Sequence, residues 1–213
     1  MAETKTQHPS PAFAQSQQAS LLEEEIIRYI SQFMPLSDDV AKAVAQNMKL
    51  KTFEKGAFLL KEGQVEKLCY FVLKGCIRQY YLVDGEEKTT HFYTEGQPVV
   101  PYEGTFKHKP SKYYLSALED TTVTVSTPED QELFFEKFPH LEPARVMAME
   151  EEMGKSHDRL SSYILSSPEE RYLDLLKTRP ELLERVPQYQ LASYLGVTPE
   201  SLSRIRKRIM FRD

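Results

Sequence analysis

Residues 190–209 read QLASYLGVTPESLSRIRKRI, and the architecture of the C-terminal end follows from them. Leu191, Ala192 and Leu195 make one apolar face, Gly196 ends the first helix and Val197 fills the turn. Thr198 is placed to cap a second helix whose first position is Pro199, and Leu202, Ile205 and Ile209 repeat along it as a buried stripe. The small Ala192 permits close approach of two helices joined by a glycine turn, which is the helix-turn-helix pattern. Glu200, Ser201, Ser203, Arg204, Lys207 and Arg208 are then left on the outer face of a helix over 199–209, a face suited to a major groove. The alternative is an ordinary helical hairpin with a solvated basic face. Charge favours the first reading: residues 187–213 carry five basic residues against two acidic ones, +3 in a chain of net charge −5, leaving −8 for the rest. A small basic module on an acidic body is the electrostatic footprint of a nucleic-acid-contacting end.

Upstream, Ser167-Pro168-Glu169-Glu170 supplies an N-cap, a first-position proline and a capping-box glutamate, so a helix begins there and runs to about Thr178. Before it, a long helical stretch follows Pro139 and Pro143. Its apolar residues Val146, Met149, Met153, Leu160 and Tyr163 fall in a 3,4 pattern with Ser156 out of character. Such a narrow stripe suits a partner helix from a second copy; the competing reading is an amphipathic helix lying on its own domain.

From Thr52 to Ser126 the pattern changes to short β-branched and aromatic runs punctuated by glycine: AFLL, LCYFVL, CIRQYYLV, KTTHFY, YYLSAL and TTVTV. These indicate a sandwich or small barrel, with Asp84-Gly85 as a hairpin turn. Because successive residues face opposite sides of a strand, Tyr80 and Tyr81, or Tyr113 and Tyr114, cannot both point inward. Thr127-Pro128 ends the β region and starts a helix, and residues 21–50 read as two short helices broken at Pro35.

The first 20 residues have no apolar core behind a basic start, so they read as a disordered polar tail, and no apolar run is long enough to span a bilayer. A cytoplasmic protein without membrane contact is expected. Cys69 and Cys76 sit in apolar surroundings and read as buried thiols, and the five histidines lack ligand spacing, so no metal and no cofactor is expected. No Ser/His/Asp, Cys/His or paired-carboxylate constellation stands at a convincing spacing, which argues against an enzyme.

Over about residues 21–209 the chain resembles the CRP/FNR superfamily of bacterial transcription regulators. The resemblance rests on FEKGAFLLKEGQ, on YFVLKGCIRQYY with its DGEE turn, on the placement of the 146–163 helix, and on Glu200, Ser203 and Arg204 in the order Glu-x-x-Ser-Arg. It implies an α+β chain: an antiparallel β-roll like that of cyclic-nucleotide-binding domains with flanking helices, a long dimerisation helix, and a C-terminal helix-turn-helix domain. The boundaries expected are a tail at 1–20, a sensor at 21–140, a dimerisation helix at 141–166 and a DNA-binding domain at 167–213. A homodimer on palindromic double-stranded DNA is implied, with half-sites similar to TTGA and RNA polymerase as a further partner. Glu200, Ser203 and Arg204 would read bases, while Ser201, Arg206, Lys207 and Arg208 would meet the backbone. The phosphate-binding cassette of cyclic-nucleotide receptors is absent, since GQPVVPYEGTFKHKPSKYYLSALED offers only Glu103 and Lys112. Two cysteines cannot supply the four thiolates of an iron–sulfur cluster. The sensor is therefore expected to have lost or changed its ligand, so the effector is unknown; a receptor with a diverged cassette is the alternative. Any β-wing beyond the recognition helix is expected to be missing.

Overall fold

The computed structural model describes residues 24–211; the expected tail at 1–20, and Arg212 and Asp213, lie outside the described residues. Helix α1 (24–31) and α2 (Asp38–Asn47) precede eight strands. These are β1 (Lys49–Phe53), β2 (Phe58–Leu60), β3 (Cys69–Lys74), β4 (Ile77–Val83), β5 (Glu86–Tyr93), β6 (Pro98–Val99), β7 (Tyr114–Ala117) and β8 (Thr121–Ser126), with a short helix α3 (Tyr102–Thr105) between β6 and β7. The helices after the strands are α4 (Pro128–Lys137), a 3-10 turn (Pro139–Leu141), α5 (Glu142–Leu165), α6 (Pro168–Thr178), α7 (Leu182–Arg185), α8 (Gln188–Tyr194) and α9 (Pro199–Met210).

The strands form two four-stranded antiparallel sheets, ordered β1-β8-β3-β6 and β2-β7-β4-β5. Tyr70, Val72, Ile77, Leu115, Ala117 and Val123 fill the space between them. On β3 the intervening residues Phe71 and Leu73 face away from that core and are covered by Ile26 and Tyr29 of α1, which explains a strand apolar on both faces. Asp84 (φ 53°) and Gly85 (φ 80°) both take positive φ and close the β4–β5 hairpin at the Val83–Glu86 pair. This is the two-residue turn that Asp-Gly favours. The tyrosines separate by face as strand geometry requires. Tyr80 stacks on Tyr114 at 5.0 Å, whereas Tyr81 pairs with Tyr113 at 5.6 Å.

The capping signals operate where the sequence puts them. Thr127 and Asp130 form a capping box on α4, and Ser167 and Glu170 form one on α6. Additions to the sequence reading include β1, β6 and the short helices α3 and α7. In β1 only Phe53 is buried, so KLKTF carries no apolar run, and its pairing with β8 is a contact between distant segments. β6 has two residues and α7 four, too short for any periodicity to register.

The helices after α5 have their own core of Tyr172, Leu175, Leu182, Leu191, Ala192, Leu195, Leu202 and Ile205, which is continuous with Cys76 and Phe92 of the roll. Both cysteines are free and buried.

Candidate nucleic-acid interface

Helix α9 is anchored by one stripe and exposed on the other. Leu202 and Ile205 are buried against α8, while Glu200, Ser203, Arg204, Lys207 and Arg208 are exposed and Ser201 and Arg206 are half-buried. The Thr198 hydroxyl accepts from the Ser201 N–H at 3.2 Å, so the cap read from the sequence is made. Gly196 carries the turn with φ +69°, a conformation L side chains rarely adopt.

The exposed side chains are not equivalent. The amide at the start of α9 and the Thr198 hydroxyl hold the Glu200 carboxyl below the usual carboxylate range, with Arg204 adding to the effect, so Glu200 is a charged acceptor. Arg204 donates to the Ser201 hydroxyl at 3.2 Å, which directs its guanidinium toward the first turn beside Glu200 and Ser203. Arg208 is engaged by Glu169 of α6 at 2.6 Å, an ion pair between helices that the sequence did not foretell. Lys207 is exposed.

On α5 only Ala144 is buried. Val146, Met149, Met153, Leu160 and Tyr163 are 45, 65, 73, 59 and 54% exposed, so most of the stripe is left uncovered by the described chain. Tyr163 also reaches the turn between α8 and α9. Its ring lies under the Arg171 guanidinium at 4.9 Å, and its hydroxyl would be 2.6 Å from a Cβ at Gly196. Arg171 in turn donates to the Leu195 carbonyl at 2.8 Å, tying the end of α8 to the start of α6.

The C-terminal helices are docked on the roll. β5 is the free edge of its sheet, and the Ser193 hydroxyl of α8 takes the place of a neighbouring strand there. It accepts from the Thr89 N–H and donates to the Glu87 carbonyl, both at 2.9 Å. Arg179 donates to the Phe92 carbonyl at 2.9 Å and to the Thr94 hydroxyl at 3.0 Å. Arg185 bridges Glu95 at 2.8 Å and also pairs with Glu119.

Where a phosphate cassette would stand, the residues do not fit one. Glu103 is paired with Lys107, Lys112 is exposed, and the buried Ser111 spends its hydroxyl on Tyr113. The neighbouring wall is aromatic instead, made by Tyr81, Tyr93 and Tyr113.

Comparison with known proteins agrees with this geometry. Residues 50–137 match the family model described as cyclic nucleotide-binding domain. No curated protein sequence matches the chain. Among solved structures, FixK2 from Bradyrhizobium japonicum superposes with a TM-score of 0.63 at 18% identity, covering 78% of this chain and 85% of that one. A CooA mutant from Carboxydothermus hydrogenoformans gives 0.62 at 17% identity, covering 84% and 88%. CLP, described as the c-di-GMP responsive global regulator of Xanthomonas campestris, gives 0.62 at 14% identity, covering 83% and 93%. With a cyclic nucleotide-binding domain matched over residues 50–137, the chain has the fold of the CRP/FNR-type transcription regulators.

Proposed function

We propose that the chain is a sequence-specific DNA-binding transcription regulator that acts as a homodimer, reading a palindromic site through α9. The observation that carries this reading is α9 itself: a capped helix anchored by Leu202 and Ile205, with Glu200, Ser203 and Arg204 open to solvent on its first two turns. Arg204 can donate two hydrogen bonds to guanine O6 and N7, Glu200 can accept from a cytosine amino group, and Ser203 is short enough for close approach. Ser201, Arg206, Lys207 and Arg208 supply phosphate contacts. The exposed α5 stripe is the seam for the second copy, which sets two half-sites about one helical turn apart, similar to inverted TTGA. RNA polymerase is the further partner such a regulator engages, and no helix among the described residues is long and apolar enough to cross a membrane.

Selection from random double-stranded DNA tests the assignment. An inverted repeat with a G·C pair in each half-site is the expected product, and Arg204→Ala should relax the preference at that pair. Recovery of no palindrome, or an unchanged selected sequence with Arg204→Ala, would overturn it.

The alternative of a cyclic-nucleotide receptor with a diverged cassette draws no support from the positions of Glu103, Ser111 and Lys112 described above. A roll that has lost or changed its ligand fits those positions better.

A further inference from the structure

Helix α3 and the loop that follows it are tied down along their backbone. The amides of Thr105 and Phe106 donate to the Pro101 and Tyr102 carbonyls, and those of His108 and Lys109 to the Gly104 and Glu103 carbonyls. The loop between β2 and β3 supports the segment from one side. There the Ser111 amide donates to the Gln64 carbonyl and the Gly63 amide to the Ser111 carbonyl, both at 2.8 Å. Gly104 packs so closely on Glu66 that an added Cβ would stand 2.3 Å from the Glu66 carbonyl oxygen.

With Gly104 and Thr105 buried on that side, Tyr102 and Phe106, four residues apart, share the other face. They are 57 and 51% exposed, and their rings lie 5.4 Å apart. Val65 of the supporting loop and Val100 just before α3 are exposed as well. An ordered pair of aromatic rings left in water is what the centre of a protein interface buries.

The charge around the rings is basic. Residues 100–112 hold Lys107, Lys109 and Lys112 against Glu103 alone, whereas the chain outside 187–213 sums to −8. Glu103 is taken by Lys107 at 3.3 Å, and the Lys107 ammonium also lies 5.1 Å over the Tyr102 ring. Glu66 accepts from the Tyr70 hydroxyl at 2.6 Å and from the amides of Lys67 and Leu68. Lys109 and Lys112 are exposed and have no ion pair among the described residues.

We propose that α3 and its loop form a docking surface for an acidic segment of another protein, an apolar side chain of which lies on Tyr102 and Phe106 while its carboxylates meet Lys109 and Lys112. Charge complementarity selects this occupant. Two copies of the surface placed face to face would set lysine against lysine. An anionic bilayer would meet the carboxylates of Glu62 and Glu103 on the same rim, whereas a protein segment can match a rim of mixed sign. The proposal goes beyond the DNA reading and involves no residue of α9.

The full chain is used to select from a displayed library of random peptides of about a dozen residues, and enriched peptides are labelled and titrated by fluorescence anisotropy. Peptides with several Asp or Glu around a large apolar residue are expected, bound more weakly as salt rises. Phe106→Ala and Lys109→Glu should each weaken binding by about tenfold or more, and Phe106→Tyr should keep most of it. Both altered side chains are exposed, and circular dichroism checks that each variant keeps the fold. Excess double-stranded DNA should leave the peptide bound, which separates this surface from the basic face of α9. Selection without acidic enrichment, binding unchanged in both variants, or displacement by DNA would overturn the proposal. So would a fall in light-scattering mass with Phe106→Ala, which would make the occupant a second copy, or Phe106-dependent binding to mixed phosphatidylcholine and phosphatidylglycerol vesicles in place of peptides.

Discussion

Arg204 and Lys207 stand three residues apart on one exposed helix, yet their chemistry separates them. Arg204 lies in the first turns beside Glu200, with its guanidinium directed by Ser201 at 3.2 Å, and is the residue proposed to meet a base edge. Removing it as Arg204→Ala should cost about 1–3 kcal/mol on the cognate site, whereas Lys207→Ala should weaken all sequences alike and flatten the salt dependence; fluorescence anisotropy at several salt concentrations measures both. The thiols give a second prediction at this scale. Burial pushes the Cys69 thiol up to about 11 and the Cys76 thiol up to about 12, so neither is a thiolate at neutral pH. Mass spectrometry should find both unmodified after iodoacetamide treatment of the native protein and both alkylated after denaturation. Their burial was legible because LCYFVL and the run after Gly75 are apolar on both sides of each cysteine. The ion pair of Arg208 with Glu169 was not, since it joins residues 39 positions apart.

At the scale of elements, α5 and α9 differ in what their apolar stripes meet. Leu202 is 1% exposed within a core built from α6, α8 and α9. Leu202→Ala should therefore destabilise by about 2–5 kcal/mol, read as a lowered midpoint of denaturant unfolding. Met149 and Met153 of α5 are 65 and 73% exposed, a cost that a second copy would remove. Met149→Asp should shift light-scattering mass from dimer toward monomer at micromolar concentration, and a monomeric wild type would end the two-half-site proposal. The starts of α4, α6 and α9 were legible because each is written locally, as a hydroxyl residue followed by proline. Strand β1 was hidden because its partner, β8, lies about 70 residues away, so nothing in KLKTF itself marks a strand.

In the whole molecule, the roll and the C-terminal helices are joined by contacts that no local pattern announces. Phe92 of β5 meets Tyr194 of α8 at 5.2 Å, Ser193 closes the free edge of the sheet, and Arg185 ties α7 to Glu95 and Glu119. Arg185 is 22% exposed and Glu95 35%, so water screens the pair in part. Burial alone would raise the Glu95 carboxyl, but hydrogen bonds from Arg185 and from the Gly75 N–H outweigh it and bring the group below the usual carboxylate range. A carboxylate whose pKa is lower folded than unfolded binds fewer protons in the native state. Its stabilisation is therefore fully present above the unfolded value of about 4.3 and is lost as pH falls through the folded one. Hydrogen exchange at the Thr89 amide, held by Ser193 at 2.9 Å, reports whether the docked helices remain on the edge. Exchange relative to the intrinsic rate should be pH-independent near neutrality and accelerate below about pH 4 as Glu95 protonates. Glu95→Gln keeps the side-chain shape, loses the charge and should cost about 1–2 kcal/mol after allowance for screening, with Thr89 less protected at pH 7 and a shallower acid limb. Equal protection of Thr89 in wild type and Glu95→Gln from pH 7 to pH 4 would show that the apolar contact of Phe92 with Tyr194 holds the two parts together without the Arg185 bridge.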